Sequence, residues 1–371
     1  MLKQQVRFCT PPDGARPAYA ITGDAPPLVF PSTWQTHVDL APGLLGYSHW
    51  LEGLSRHHTL IRGELRGAGL SDWEVPSMDF EDWVWDLEAM VDDAGLERFP
   101  IFGLSHASAT AIEYTVRHPE RVSHLVLYAA SARAEVSRVD PAAMRKLAVY
   151  MDFQREFWDS TDPRMQWFFT SSVVPAASRE IVAALDKVRR QSMNADNSVR
   201  ALKTIVNTDV MARLPEISVP TLVLHPKAGT TVKISEAREV AAAIPDARLV
   251  LLDCENHLMQ AYEPGWPRLL EETWRFLGVD LDRVEREPAS RNGASEPEPA
   301  LSRREREVLA LLAQHRTNAE IGEVLTITPA TVATHVHNVL GKLGASRRSE
   351  AAAWWADHGN GSAESGIHRT V

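Results

Sequence analysis

Phe102-Gly103-Leu104-Ser105-His106-Ala107-Ser108 closes the short apolar run at 100–103 (PIFG) and leads into a helical stretch, Ala109 to His118. A strand that breaks into a helix through a serine between small residues is a nucleophile elbow. Gly103 and Ala107 are small because the chain turns sharply there, holding Ser105 in a strained conformation with its hydroxyl at the sheet edge.

Outward from this junction, further apolar runs alternate with helical stretches: PPLVF at 26–30, LIRG at 60–63, HLVLYAA at 124–130, TLVLH at 221–225 and LVLLDC at 249–254. Such alternation predicts a mostly parallel sheet covered by helices on both faces. Asn256-His257-Leu258 follows the last run and precedes a closing helix at 266–277. His257 thus has the chain order of a general base for Ser105. Residues 136–212 read as a helical stretch rich in aromatics, including Tyr150, Phe153, Trp158 and Trp167. Together they predict an apolar pocket above the serine, with Trp158 and Trp167 among its walls.

With RGAGLSDW at 66–73 and RHPERVSHLVLY at 117–128 added, residues 5 to 279 resemble the α/β-hydrolase family. The resemblance implies an oxyanion hole from the backbone N–H groups of His106 and of Trp34, in the FPSTW loop, with Trp34 also walling the pocket. It also implies a cap at residues 136–212, over the serine, and an acid in the loop after TLVLH. That loop reads His225-Pro226-Lys227-Ala228-Gly229-Thr230-Thr231, and the expected carboxylate position is Gly229. Without the acid the imidazole loses the partner that orients it, a defect of about four orders of magnitude in serine proteases. Glu255, Glu236 and Glu135 are carboxylates on other loops, and no spacing assigns the role to any of them. Ser105 and His257 therefore read as a vestigial pair inside a ligand pocket, walled by Trp34, His106, Trp158 and Trp167.

A second unit begins at LSRREREVLALLAQHRTNAEIGEVLTITPATVATHVHNVLGKLGASRRSEAAA, residues 301–353. Apolar positions Val308, Leu311, Leu312, Ile321, Leu325, Val332, Val336, Val339 and Leu343 recur at helical spacing, which predicts three short amphipathic helices. Ser302 with Glu305 is a capping box, and Thr328-Pro329 marks the third helix start. Two helices joined by the turn 326–328 form a helix-turn-helix whose second member, 329–343, can enter a major groove.

Through REREVL at 304–309, NAEI at 318–321, TVATHV at 331–336 and KLGA at 342–345, this segment resembles the LuxR-type DNA-binding domain. The resemblance implies that Ala333, Thr334 and His337 face bases, and that Thr331, Asn338 and Lys342 lie near the phosphate backbone. It also implies a homodimer on inverted half-sites. Ala333 stands where many members carry Lys or Arg, so one charged contact is absent. Ser349 to Trp355 suits either helix pairing or the module's own core.

At 371 residues, 44% hydrophobic and 24% charged, the chain can bury a substantial core. No eighteen-residue apolar run or signal peptide is present, which predicts no membrane and a cytoplasmic protein. Cys9 and Cys254 are the only cysteines, so neither a disulfide framework nor a zinc cluster is expected. The net charge is -10, its acidic excess lying before residue 301. Residues 285–300, EREPASRNGASEPEPA, read as a solvated linker.

The expected architecture is an α/β-hydrolase-like doubly covered sheet with a helical cap, plus a small all-α helix-turn-helix domain. Its parts are 1–279 (sensor), 280–300 (linker), 301–358 (DNA-binding) and 359–371 (tail). The expected function is a DNA-binding regulator whose hydrolase-like domain senses a small, partly apolar ligand, with no cofactor or metal. The alternatives are a working esterase or lactonase that consumes its signal while tethered to DNA, and a scaffold with a collapsed pocket.

Overall fold

The computed structural model describes residues 3–133, 141–229, 231–281, 301–314, 316–343, 345, 348, 351–352 and 354–355, with only backbone at 143, 330 and 337. The chain divides into two compact units, Met1–Arg286 and Glu287–Val371. The linker expected at 280–300 and the tail at 359–371 fall, from residue 282 onward, outside the described residues, as do the cap's expected first residues, up to 140.

In the first unit the chain runs β1 (Gln4–Phe8), β2 (Ala18–Thr22), β3 (Pro27–Thr33), α1 (Ser48–Ser55), β4 (Thr59–Glu64), α2 (Phe80–Asp93), β5 (Phe99–Leu104), α3 (Ala107–Arg117) and β6 (Val122–Tyr128). Four cap helices follow: α4 (Pro141–Phe157), α5 (Pro163–Thr170), α6 (Arg179–Ser192) and α7 (Ala195–Asn207). The core then resumes with β7 (Thr221–Pro226), α8 (Ile234–Ala243), β8 (Arg248–Leu252) and α9 (Gly265–Phe276). The strands form one 8-stranded sheet in the order β1-β2-β4-β3-β5-β6-β7-β8. From β4 to β8 all neighbours are parallel, whereas β1 and β2 join antiparallel at one edge. The central strands β5, β6 and β7 are nearly continuous buried apolar runs because helices cover both faces. One core cluster packs α1 and α9 against one face (Trp50, Leu54, Trp266, Leu270), and another packs α2 and α3 against the other (Leu87, Val91, Ile112, Tyr114).

Buried ions tie the loops to this sheet. Arg66 is fully buried, donates both Nε and Nη2 to Asp86, and pairs through Nη1 with Asp13 at 2.6 Å and Asp82 at 3.6 Å. Asp82 also caps α2, so the 66–73 loop is fixed to the start of that helix.

Among its described residues the second unit contains α10 (Arg303–Ala313), α11 (Asn318–Leu325) and α12 (Pro329–Leu343) around Val308, Leu309, Leu312, Ile321, Val332, Val336 and Val339, and is helical again at 351–352 and 354–355. Capping boxes at Ser302–Glu305 and Thr317–Glu320 start α10 and α11, and the Thr328 hydroxyl accepts the Thr331 N–H at the start of α12. Thr326 ends α11 in a left-handed conformation. Gly322 is required opposite that turn, since a Cβ there would meet the Ile327 carbonyl oxygen at 2.7 Å. Trp354 and Trp355 are half-buried against this same core.

Candidate active site and DNA-reading helix

Leu104 ends β5 and Ala107 begins α3, leaving Ser105 at the bend with φ +55°. Few non-glycine residues occupy that region, and those that do concentrate at functional sites. Three backbone bonds hold it there: the Ser105 N–H donates to the Tyr128 carbonyl, and the Ser105 carbonyl accepts from Ser108 and Ser131. Glycine at 103 follows from the same bend, because a Cβ would lie 2.9 Å from the Ser108 Cα. His106 is the residue before α3, so its N–H has no acceptor inside the helix and is free to face an anion.

His257 sits in the loop after β8, and several bonds fix that loop. Its carbonyl accepts the Tyr128 hydroxyl at 2.9 Å, and the Met259 carbonyl accepts both Trp50 Nε1 and a His49 ring nitrogen, each at 2.9 Å. The buried Glu263 carboxylate receives the N–H groups of Glu255, Asn256 and Gln260. The cap reaches the same loop: the Ala176 N–H donates to Asn256 Oδ1 at 2.9 Å, and the Leu258 N–H donates to the Val173 carbonyl at 3.0 Å. Thr231, in the loop after β7, donates to the Ser172 carbonyl of the same cap turn.

Between sheet and cap lies a cavity of about 350 Å³. Ser105, His106, Trp34 and His257 all line it, together with Leu44, Tyr47 and Leu104 from the core and Val173, Leu185, Val188, Leu202 and Ile205 from the cap. Trp34 is followed by Gln35 at φ +62°, a second non-glycine residue in the left-handed region on the same wall. Among the described residues no Asp, Glu, Lys or Arg lines the cavity. No hydrogen bond joins Ser105 to the His257 ring.

The two other expected walls lie elsewhere. Trp158 is fully buried in the cap's own packing, its Nε1 donating to the Met193 carbonyl and its ring 4.3 Å from the Arg189 guanidinium. Trp167 is 44% exposed on the cap surface. Aromatic spacing marked the cap's core and skin here rather than its floor.

No described carboxylate forms an ion pair with His257. Glu236 caps α8, Glu255 is exposed, and Glu135 lies outside the described residues. Gly229 stands in the loop after β7, as the sequence has it, with a backbone that does not require glycine. Burial, with His225 adding to it, pushes the His257 imidazole down to about 4, and burial does the same to His106, with His257 adding. Both are therefore neutral at pH 7. Because each folded value lies below the ordinary 6.5, protons enter the unfolded chain first, so the stability each contributes is whole above pH 6.5 and is lost as pH falls to about 4. Histidine NMR should accordingly show the His257 and His106 imidazoles staying neutral down to pH 5, as buried His58 should also do; midpoints near 6.5 for the first two would contradict this burial.

One site group was missed in the sequence. Glu64, at the end of β4, is fully buried and its carboxylate accepts the N–H groups of Val38 and Leu70 at 2.6 Å and of Ser71 at 3.1 Å. It thereby grips both the Trp34 loop and the 66–73 loop, and burial raises it to about 7 against those donors. Gly69 was the available signal: a Cβ there would overlap the Glu64 carboxylate.

On α12, Thr331, Ala333, Thr334 and Asn338 are exposed along one side, opposite Val332, Val336 and Val339. His337 lies on this helix, its side chain outside the described residues. Lys342 has a partner inside the module. Its ammonium lies 2.6 Å from the Glu305 carboxylate, so much of its charge is balanced within the module.

Comparison with known proteins agrees with this division. Residues 27–264 match the α/β-hydrolase fold model, and residues 299–355 match that of bacterial regulatory proteins of the luxR family. The chain is 28% identical over 241 residues to a pimeloyl-[acyl-carrier protein] methyl ester esterase of Nitrosomonas europaea, covering 64% of this chain and 90% of that protein. It is 50% identical over 58 residues to the transcriptional regulatory protein LiaR of Bacillus subtilis, covering 16% of this chain and 28% of LiaR. A crystal structure of a hydrolase from Pseudomonas aeruginosa superposes with a TM-score of 0.60 at 22% identity, covering 74% of this chain and 98% of that one. Among the described residues no helix is long and apolar enough to cross a membrane. The chain belongs to the α/β-hydrolase fold family and carries, after that domain, a regulatory DNA-binding domain of the luxR family.

Proposed function

We propose that the protein is a one-component transcriptional regulator whose hydrolase-like domain binds a small, neutral, largely apolar ligand and thereby changes DNA affinity. The observation that carries this reading is the cavity of about 350 Å³, which keeps a presented Ser105 but gives His257 no described carboxylate. A cavity of that size, lined by apolar side chains and a few polar groups, is a ligand site. The luxR-family domain supplies the output, with Thr331, Ala333, Thr334, His337 and Asn338 facing DNA as a homodimer on inverted half-sites. Lys342 contributes less, because Glu305 holds it.

The test selects DNA from a randomised pool with the full-length protein, then measures affinity with and without neutral esters and lactones. A ligand should change DNA affinity several-fold, and DNA should change ligand affinity by the same factor. A tightly bound ligand that leaves DNA affinity unaltered would sink the sensing reading. No selectable DNA would sink the regulator. On the selected site, Ala333→Lys should steepen the salt dependence of log affinity by about 0.9 per protomer, since a cation added in the groove releases about one more counterion. An unchanged slope would place this face of α12 away from the DNA.

The esters named in the hydrolase-like relatives favour a working esterase as the second reading. It requires steady, Ser105-dependent turnover.

A further inference from the structure

The cavity serves the two halves of an acyl-transfer reaction unequally, and we infer that Ser105 is a single-turnover acyl acceptor, taking the acyl group of an activated ester or strained lactone and keeping it. This deepens the sensing reading and rests on it, because the captured group is then the signal.

Three observations carry the inference. Ser105 is presented into the cavity at φ +55°, with three backbone bonds holding the bend. The His106 N–H beside it is free of the helix, so a developing oxyanion has a donor. His257 lines the same cavity, without a described carboxylate to orient it or balance its protonated form.

In acylation, the Ser105 oxygen bonds to the carbonyl carbon and the bond to the leaving alcohol breaks. The serine proton passes to His257 and from there to the departing alkoxide. A lactone opens in the same way, its new hydroxyl staying on the captured chain. Release would need water to attack the serine ester, its proton going to His257 and from there to the departing Ser105 oxygen, which frees the acid. The missing acid slows both steps, and what remains is the residual catalysis of donor and positioning. That residual acts on steps of very different intrinsic speed. Acyl transfer from a good leaving group is intrinsically far faster than hydrolysis of an alkyl ester. The acyl form accumulates.

Full-length protein mixed with p-nitrophenyl butyrate should release nitrophenolate in a burst of one equivalent per chain, followed by a steady phase slower by roughly a hundredfold or more. Intact mass should rise by one butyryl group, and peptide mapping should place it on Ser105. Ser105→Ala should show neither burst nor adduct. Because mapping uses wild-type protein, the assignment survives a variant that folds poorly. Butyrophenone, a neutral ketone that cannot acylate, reports separately on the cavity through a thermal shift. No burst and no adduct, with the ketone shift present, would overturn capture and leave sensing standing. Sustained turnover without an adduct would overturn both in favour of a hydrolase. A butyryl group mapped to another residue would overturn the role given to Ser105.

Discussion

Replacing Gly229 by Asp is expected to convert capture into turnover, raising the steady rate of p-nitrophenyl butyrate hydrolysis by about two to four orders of magnitude. The residue stands in the loop after β7, and its neighbours Thr231 and Val232 line the same cavity as His257. Its backbone tolerates a side chain, and an added Cβ would lie 3.1 Å from the Pro226 Cβ, so that ring has only to give by a few tenths of an ångström. A carboxylate there would stabilise the imidazolium that forms in each step, and would raise His257 from about 4 back toward the ordinary histidine range. Rate and titration must move together. An aspartate that raises the His257 midpoint without restoring release would show that something other than the acid blocks the second step.

Arg66→Met should be the most damaging single change to the first unit, lowering its stability by about 3–5 kcal/mol near neutral pH. The variant leaves Asp86, Asp82 and Asp13 facing one another without the guanidinium that now lies against all three. Even with Arg66 in place, burial raises Asp86 to about 6. An acid raised on folding destabilises above its folded pKa and ceases to do so below its unfolded one, so the deficit should shrink as pH falls from 8 toward 4. Denaturant titrations at pH 8 and pH 5 read this directly. Adding Asp86→Asn should recover part of the loss. A deficit equal at both pH values would mean that lost packing, not uncompensated charge, is the cause.

Much of this architecture was legible because its elements obey short-range rules. The elbow at 102–108, the apolar runs of the parallel strands and the cap of α10 declare themselves by spacing and residue size. The edge hairpin of β1 and β2 did not, since QQVRF is half-exposed and carries no continuous apolar run. Trp158 shows a second limit. Periodicity tells that a cap aromatic is buried, but whether it faces the cavity or an arginine of α6 depends on packing that no spacing encodes. Lys342 shows a third, for a lysine that looks free on its own helix is claimed by a carboxylate 37 residues earlier in the chain. The glycine at 229, by contrast, needs no packing to be seen, because it stands in the letters.

The bonds from the cap turn to Asn256, Leu258 and Thr231 have a kinetic consequence. The cap cannot lift at that turn without breaking contacts to the loop that holds the imidazole and to the loop where an acid would sit. The rate at which the cap opens at that turn is therefore also the rate at which the imidazole loop is freed.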